Sequence, residues 1–155
     1  MDLYALFESL ERTPVAAAIR ESVWLFPAVE AVHLLGLALL GGAVLIVDLR
    51  LLGAGLTAQP PSQVERAARP WLLAAIATMV MTGVPLALSE AVKLYDKEAY
   101  WLKMSALACA LVFTFAVRNR LAARDVAGLS AKAVGALSLA LWLTVATAGR
   151  WIGFS

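Results

Sequence analysis

The run Val23-Trp-Leu-Phe-Pro-Ala-Val-Glu30-Ala-Val-His33-Leu-Leu-Gly36-Leu-Ala-Leu-Leu-Gly41-Gly42-Ala-Val-Leu-Ile-Val47 decides the fold. Glu30 and His33 are its only ionisable side chains. As a helix rising ~1.5 Å per residue, the run is long enough to cross a bilayer with some tilt. Working outward, three more apolar runs follow, from Pro70-Trp71 to Ala91, from Tyr100 to Val117 and from Ala133 to Phe154. Charge and turn residues separate them. Asp48 and Arg50 close the first run, and a loop over Gly53 to Pro70 carries Gln59-Pro60-Pro61, Glu65, Arg66 and Arg69. A hinge with Lys93, Asp96, Lys97 and Glu98 precedes the third run, and Arg118, Arg120, Arg124 and Asp125 end it. Pro85 is expected to kink the second span.

Composition agrees. Of 155 residues, 62% are hydrophobic and 15% charged, against roughly 45–50% and about 25% in soluble domains. A small soluble globule has a large surface to cover, and these polar residues are too few to cover it. The excess apolar side chains must therefore face lipid. The fold class read from the chain is all-α, an integral membrane four-helix bundle with an N-terminal interfacial amphipathic helix. Residues 1–22 form the interfacial segment and 23–155 the up-down-up-down bundle, a single domain with no room for a soluble catalytic one. In the first segment Leu3, Phe7 and Leu10 recur at helical spacing, with Asp2, Glu8, Glu11 and Arg12 around them. Thr13-Pro14 supplies an N-cap and a proline at the first helical position of a second short helix. The acidic start is unlike a secretory signal peptide.

Orientation follows from the basic residues near span ends. Arg50, Arg66, Arg69, Arg118, Arg120, Arg124 and Lys132 fall on one side, against Arg12, Arg20, Lys93 and Lys97 on the other. The expectation is a bacterial inner-membrane protein with both termini periplasmic. Arg118, Arg120 and Arg124 read as a solvated cytoplasmic fringe with affinity for anionic lipid. Trp71, Tyr100, Trp101 and Trp151 read as interface anchors. Nothing calls for nucleic acid. The single Cys109 excludes an intrachain disulfide and a cysteine-based zinc or iron–sulfur site.

An ionisable side chain inside a span is costly, and so marks a candidate functional residue. His33 lies too deep to reach water by snorkelling. Two readings are open for it: a neutral histidine bonded to a neighbouring hydroxyl or carbonyl, or an axial ligand or proton carrier. Glu30-x-x-His33 has the spacing of carboxylate-bridged di-iron bundles, but those need a second such motif. Haem b fits better. One histidine can hold one face of the iron, and flanking glycines let a flat macrocycle approach the helix. Met81, ten residues into the antiparallel second span, is the candidate second ligand, ahead of Met79 and Met104. A five-coordinate haem, or one held by His33 of two subunits, is equally open. Glu30 is expected to orient the His33 ring. Glu30, Glu90, Lys103 and Arg150 fall near the same ends of four spans. They read either as interfacial ion pairs or as a clamp in which Lys103 and Arg150 hold haem propionates or a quinone headgroup.

The strings Glu30-Ala-Val-His33-Leu-Leu-Gly36, Asp48-Leu-Arg50-Leu-Leu-Gly53, Trp101-Leu-Lys103 and Ser138-Leu-Ala-Leu-Trp142 through Gly149-Arg150 resemble a bacterial family of small four-helix membrane proteins of unassigned activity, over nearly the whole chain. More distantly, a first-span histidine and a lysine opening the third span look like the CopD-type copper-resistance membrane domain and the HemJ-type protoporphyrinogen oxidase. The latter resemblance implies b-type haem and porphyrin chemistry at His33 and Lys103. Three functions follow as expectations: a haem b protein moving electrons between quinone and a periplasmic partner, a non-catalytic subunit or anchor of a larger complex, or a copper-handling or porphyrin-oxidising protein.

Overall fold

The computed structural model describes residues 3–154, so Asp2 lies outside the described residues. Two short helices, α1 (Leu3–Glu11) and α2 (Pro14–Glu21), precede the first long one. Thr13 caps α2 as its sequence predicts, its hydroxyl accepting from Ala16 N–H with Pro14 in the first turn. Four long apolar helical rods follow: α3 (Leu25–Leu52), α4 (Pro61–Ser89), the rod Glu98–Ala123, and, as the last, Leu129–Trp151. A short α5 (Ala91–Tyr95) joins the second rod to the third. The third rod consists of α6 (Glu98–Phe113), a wide π-helical turn over Thr114–Arg118, and α7 (Asn119–Ala123); the last rod is α8. The chain is thus a multi-pass membrane protein whose outer apolar faces meet lipid.

Several boundaries differ from those expected, for physical reasons. Asp48 and Arg50 do not end α3. The helix runs to Leu52 and stops at Gly53, whose φ of 75° and N–H bonds to Arg50 and Leu49 carbonyls form a left-handed cap. The stretch 61–70 is not loop: α4 starts at Pro61, and Pro70 and Pro85 both lie inside it. Val64, Glu65, Ala68, Leu72 and Ala75 are buried at helical spacing, a stripe that Arg66 and Arg69 on the opposite faces mask in a hydropathy count. That helix ends at Ser89, two residues before the expected Ala91, and α8 begins at Leu129 and closes at Trp151 rather than spanning Ala133 to Phe154.

Neighbours also depart from a simple meander. Helix α3 packs along both α4 and α8, and α6 packs along α8, whereas α4 meets the third rod chiefly through α7. Leu40, Val44, Leu72, Ala75, Ala110, Trp142 and Val145 form the central core. Val47, Leu51, Val64, Ala68, Ala122 and Ala131 form a second one toward the α3–α4 and α7–α8 loops, here termed the loop rim. At the opposite, terminal rim, α1 and α2 are docked rather than free. Glu11 accepts from Arg20 Nη1 at 3.2 Å and from Val92 N–H at 2.7 Å, tying both helices to α5. Tyr4 and Phe7 pack edge-on against Tyr95, and Phe7 also meets Tyr100 and Trp101. Tyr100 and Trp101 therefore belong to an aromatic cluster, with the Trp101 indole donating to the Tyr95 carbonyl; Trp71 and Trp151 remain exposed as anchors.

Candidate functional site

His33 sits eight residues into α3 and meets α4 across the helix interface. Its Nδ1 lies 2.7 Å from Thr82 Oγ1. The Thr82 hydroxyl also lies 2.6 Å from the Thr78 carbonyl one turn back. A hydroxyl has one proton to give. Where Thr82 gives that proton to Thr78, Nδ1 carries the N–H that Thr82 accepts and the lone pair stays on Nε2; where Thr82 gives it to Nδ1, the tautomer is the reverse. No described residue bonds Nε2. The first of these tautomers is the form in which the imidazole binds a metal or accepts a proton through Nε2. Gly83 makes room for the ring: a Cβ there would stand 3.0 Å from His33 Cε1.

Lys103, on α6, is half-buried. Its side chain runs across Gly149, where an added Cβ would stand 3.4 Å from Cε and 3.5 Å from Nζ. His33 and Thr82 thus pair across α3 and α4, and Lys103 is half-buried on a third rod, against Gly149 of the fourth.

The other expected site residues do not join His33. Met81 is 76% exposed and faces away from the bundle, because one residue along α4 from Thr82 is a turn of about 100°. A His33–Met81 ligand pair inside one chain is therefore excluded by geometry. Met79 packs against Gly36, where Thr78 also closes in, so Gly36 serves tight α3–α4 contact rather than approach by a macrocycle; only Gly41 and Gly42 are open. Glu30 is exposed and Thr82, not Glu30, orients the His33 ring. Glu90 pairs with Lys93 at 3.1 Å, and the Arg150 guanidinium lies 4.5 Å over the Phe154 ring, so the four rim charges do not pair with one another.

Near the loop rim the structure reveals a polar centre that the sequence reading missed. Arg118 is not part of a solvated fringe. It is 1% exposed, and its Nε donates to Asp48 Oδ1 at 2.6 Å, with Asp48 at 0%. Nη2 donates to the Val44 carbonyl and Nη1 to Asn119 Oδ1, both at 3.0 Å. Ser138 faces Asp48 from α8. One turn before Arg118, Thr114 Oγ1 accepts from the Trp142 indole at 3.1 Å.

The π turn makes this possible. Ala110, Thr114, Arg118 and Ala122 are all buried, at a constant spacing of four. An α-helix drifts by ~40° over four residues, hence ~120° over three such steps. The wide turn, closed by Asn119 N–H bonding the Thr114 carbonyl five residues back, absorbs about one residue of that drift. The four-residue spacing was the signal available in the sequence.

Among the described residues no three His, Cys, Asp or Glu side chains gather as a metal-binding group. For haem b, the residues present would fit a group held by His33 alone, with Lys103 as a candidate cation for a propionate, and do not bring Met81 to His33.

No curated protein and no solved structure matches the chain. A family model described as a family of unknown function (DUF6644) matches residues 24–155, beginning just after α2 and taking in all four rods, His33, Lys103, Asp48 and Arg118. The chain belongs to that family.

Proposed function

We propose that this is a bacterial inner-membrane protein, with both termini periplasmic, that binds haem b through His33 and passes electrons between quinone and a periplasmic partner. One observation carries the reading: Thr82 engages His33 through Nδ1, so that Nε2 has no hydrogen-bond partner among the described residues. Thr82 would fix the ring plane and raise the basicity of Nε2, as outer partners of ligating histidines do. With Met81 turned outward, His33 would hold the haem alone or together with His33 of a second copy. Haem would supply one-electron redox chemistry there. Lys103 would supply positive charge for a propionate or a quinone oxygen, with Arg150 at the rim above.

A reduced-minus-oxidised spectrum of the detergent-purified protein tests this. Soret and alpha bands in the wild type, lost in a folded His33→Ala variant, are the expected result. Bands that survive His33→Ala would move the ligand elsewhere. A featureless wild-type trace would overturn the haem reading in favour of a non-catalytic membrane subunit. Stoichiometric copper without a porphyrin band would favour copper handling, and turnover of a porphyrinogen would favour the porphyrin-oxidising alternative.

A further inference from the structure

The loop rim carries a second built cavity, far from His33. It measures about 260 Å³, roughly eight waters' worth at ~30 Å³ each. Pro60, Pro61 and Val126 contribute apolar wall, and Arg50, Lys132 and Asp125 contribute charge. The two loops that frame it hold all the positive-φ residues among those described: Gly53 and Leu56 in one, Asp125 and Gly128 in the other. Backbone strain of this kind persists only where surrounding contacts enforce it.

Contacts hold Arg50 and Asp125 while leaving bonding capacity free. Arg50 Nε donates to the Gln59 carbonyl, so the guanidinium is held with both Nη groups unengaged. Asp125 Oδ1 accepts from Ser62 N–H at 2.8 Å and Oδ2 from Ser62 Oγ–H at 3.0 Å. A carboxylate has about four lone-pair sites, so each oxygen can still accept once more. The Ser62 donors hold the Asp125 carboxyl below the usual carboxylate range, with Arg66 and Arg50 adding to the effect, so it is charged at neutral pH. Lys132 makes no ion pair among the described residues.

One held cation (Arg50), one free cation (Lys132), one held carboxylate and an apolar wall, at the level where the long helices end, complement a group with a phosphate and a primary amine. A plain anion would meet the opposing charge of Asp125. We propose that this cavity binds a phosphoethanolamine group, the phosphate on Arg50 and Lys132 and the ammonium on Asp125, carried either on an aminophospholipid or as a free ester. Phosphatidylcholine offers the same phosphate but no N–H for Asp125, and phosphatidylglycerol offers no cation.

Native mass spectrometry of the delipidated full-length protein, with the three lipids at matched acyl chains, tests the assignment. The wild type is expected to retain phosphatidylethanolamine about tenfold over the other two, the scale of one charge-assisted hydrogen bond. Asp125→Asn should erase that preference, and Arg50→Gln or Lys132→Gln should lower retention of all three. Lys132 is exposed and without an ion pair, so its variant reports binding without loss of fold. Competition by soluble O-phosphoethanolamine would place recognition in the headgroup alone; failure to compete, with the lipid preference intact, would assign the lipid as the source. Equal retention of the three lipids by the wild type, a preference unchanged in Asp125→Asn, or retention undiminished in Lys132→Gln would overturn the proposal.

Discussion

Arg118 and Asp48, 70 residues apart in sequence, meet at 2.6 Å between the third and first membrane rods with neither reaching solvent. Removing one partner leaves a buried charge uncompensated, which typically costs about 3–5 kcal/mol, whereas replacing both with apolar residues is often neutral or better. Asp48→Asn and Arg118→Met are each expected to lower stability on that scale, and Asp48→Leu combined with Arg118→Met to recover most of it. Unfolding of purified protein in mixed micelles, read by circular dichroism, measures all three. Singles as stable as the wild type would show that the pair contributes little.

The four-rod architecture was legible because apolar length alone signals a span; His33 stood out because an imidazole inside one is costly, and its bond to the Thr82 hydroxyl is the first of the two readings open for it. The ion pair was not legible. Arg118 stands beside Arg120 and Arg124, and Asp48 beside Arg50, so each reads as the charged end of a span. What draws the pair inward is the π turn between Thr114 and Arg118, which shifts which face the arginine occupies and leaves only a four-residue spacing as its trace. Thr82 was hidden for another reason. A threonine in an apolar helix gives no sign of whether its hydroxyl bonds its own backbone or a neighbouring rod, and here it does both. Met81 failed because counting depth along a helix says nothing about rotation around it.

Two glycine classes should separate sharply. An alanine methyl at Gly83 would press within 3.0 Å of His33 Cε1, and one at Gly135 within 3.0 Å of the Asp48 carbonyl oxygen and 3.1 Å of Leu51 Cβ. Gly83→Ala and Gly135→Ala are expected to destabilise by about 1–3 kcal/mol through overpacking. Gly41 and Gly42 have nothing within 4 Å, and alanine there should be neutral or stabilise by up to ~1 kcal/mol through helix propensity. Thermal unfolding of the four variants decides it. In Thr82→Val the His33 ring should lose the bond that sets its tautomer, visible as averaged imidazole nitrogen shifts by NMR.

Asp125 links the start of α4 to pH. Its carboxyl is held below the ordinary value of about 3.9 by two Ser62 donors. A group whose folded pKa is depressed contributes stability above its unfolded pKa, and that contribution is lost as pH falls through the folded one. The first turn of α4 should therefore keep full amide protection at Ser62 from neutrality down to about pH 4 and lose it below. Hydrogen exchange of wild type and Asp125→Asn across that range checks the sign. The variant should exchange quickly at every pH; protection at Ser62 that is the same in both would remove Asp125 as the cap.

Lys103 and Arg150 carry the same charge in different settings, and that difference predicts different sensitivities. Lys103 is half-buried against Gly149, while Arg150 is exposed over Phe154. An exposed cation over an aromatic ring contributes about 0.5–1 kcal/mol, and lysine retains most of it. Arg150→Lys should thus change cofactor content and quinol-driven reduction by about twofold or less. Lys103→Gln removes a charge-assisted donor from the proposed site. The expected loss in quinol-driven reduction is about tenfold or more, at unchanged thermal stability. Lys103→Arg keeps the charge but needs more room than the lysine stem has along Gly149, so it should fall between the two. The three variants are best assayed together, with His33→Ala as the zero. If Arg150→Lys loses as much as Lys103→Gln, the guanidinium fork grips the substrate and the rim belongs to the site. If neither variant loses activity while His33→Ala does, the histidine works without a cationic partner, and Lys103 is there only to pack across Gly149.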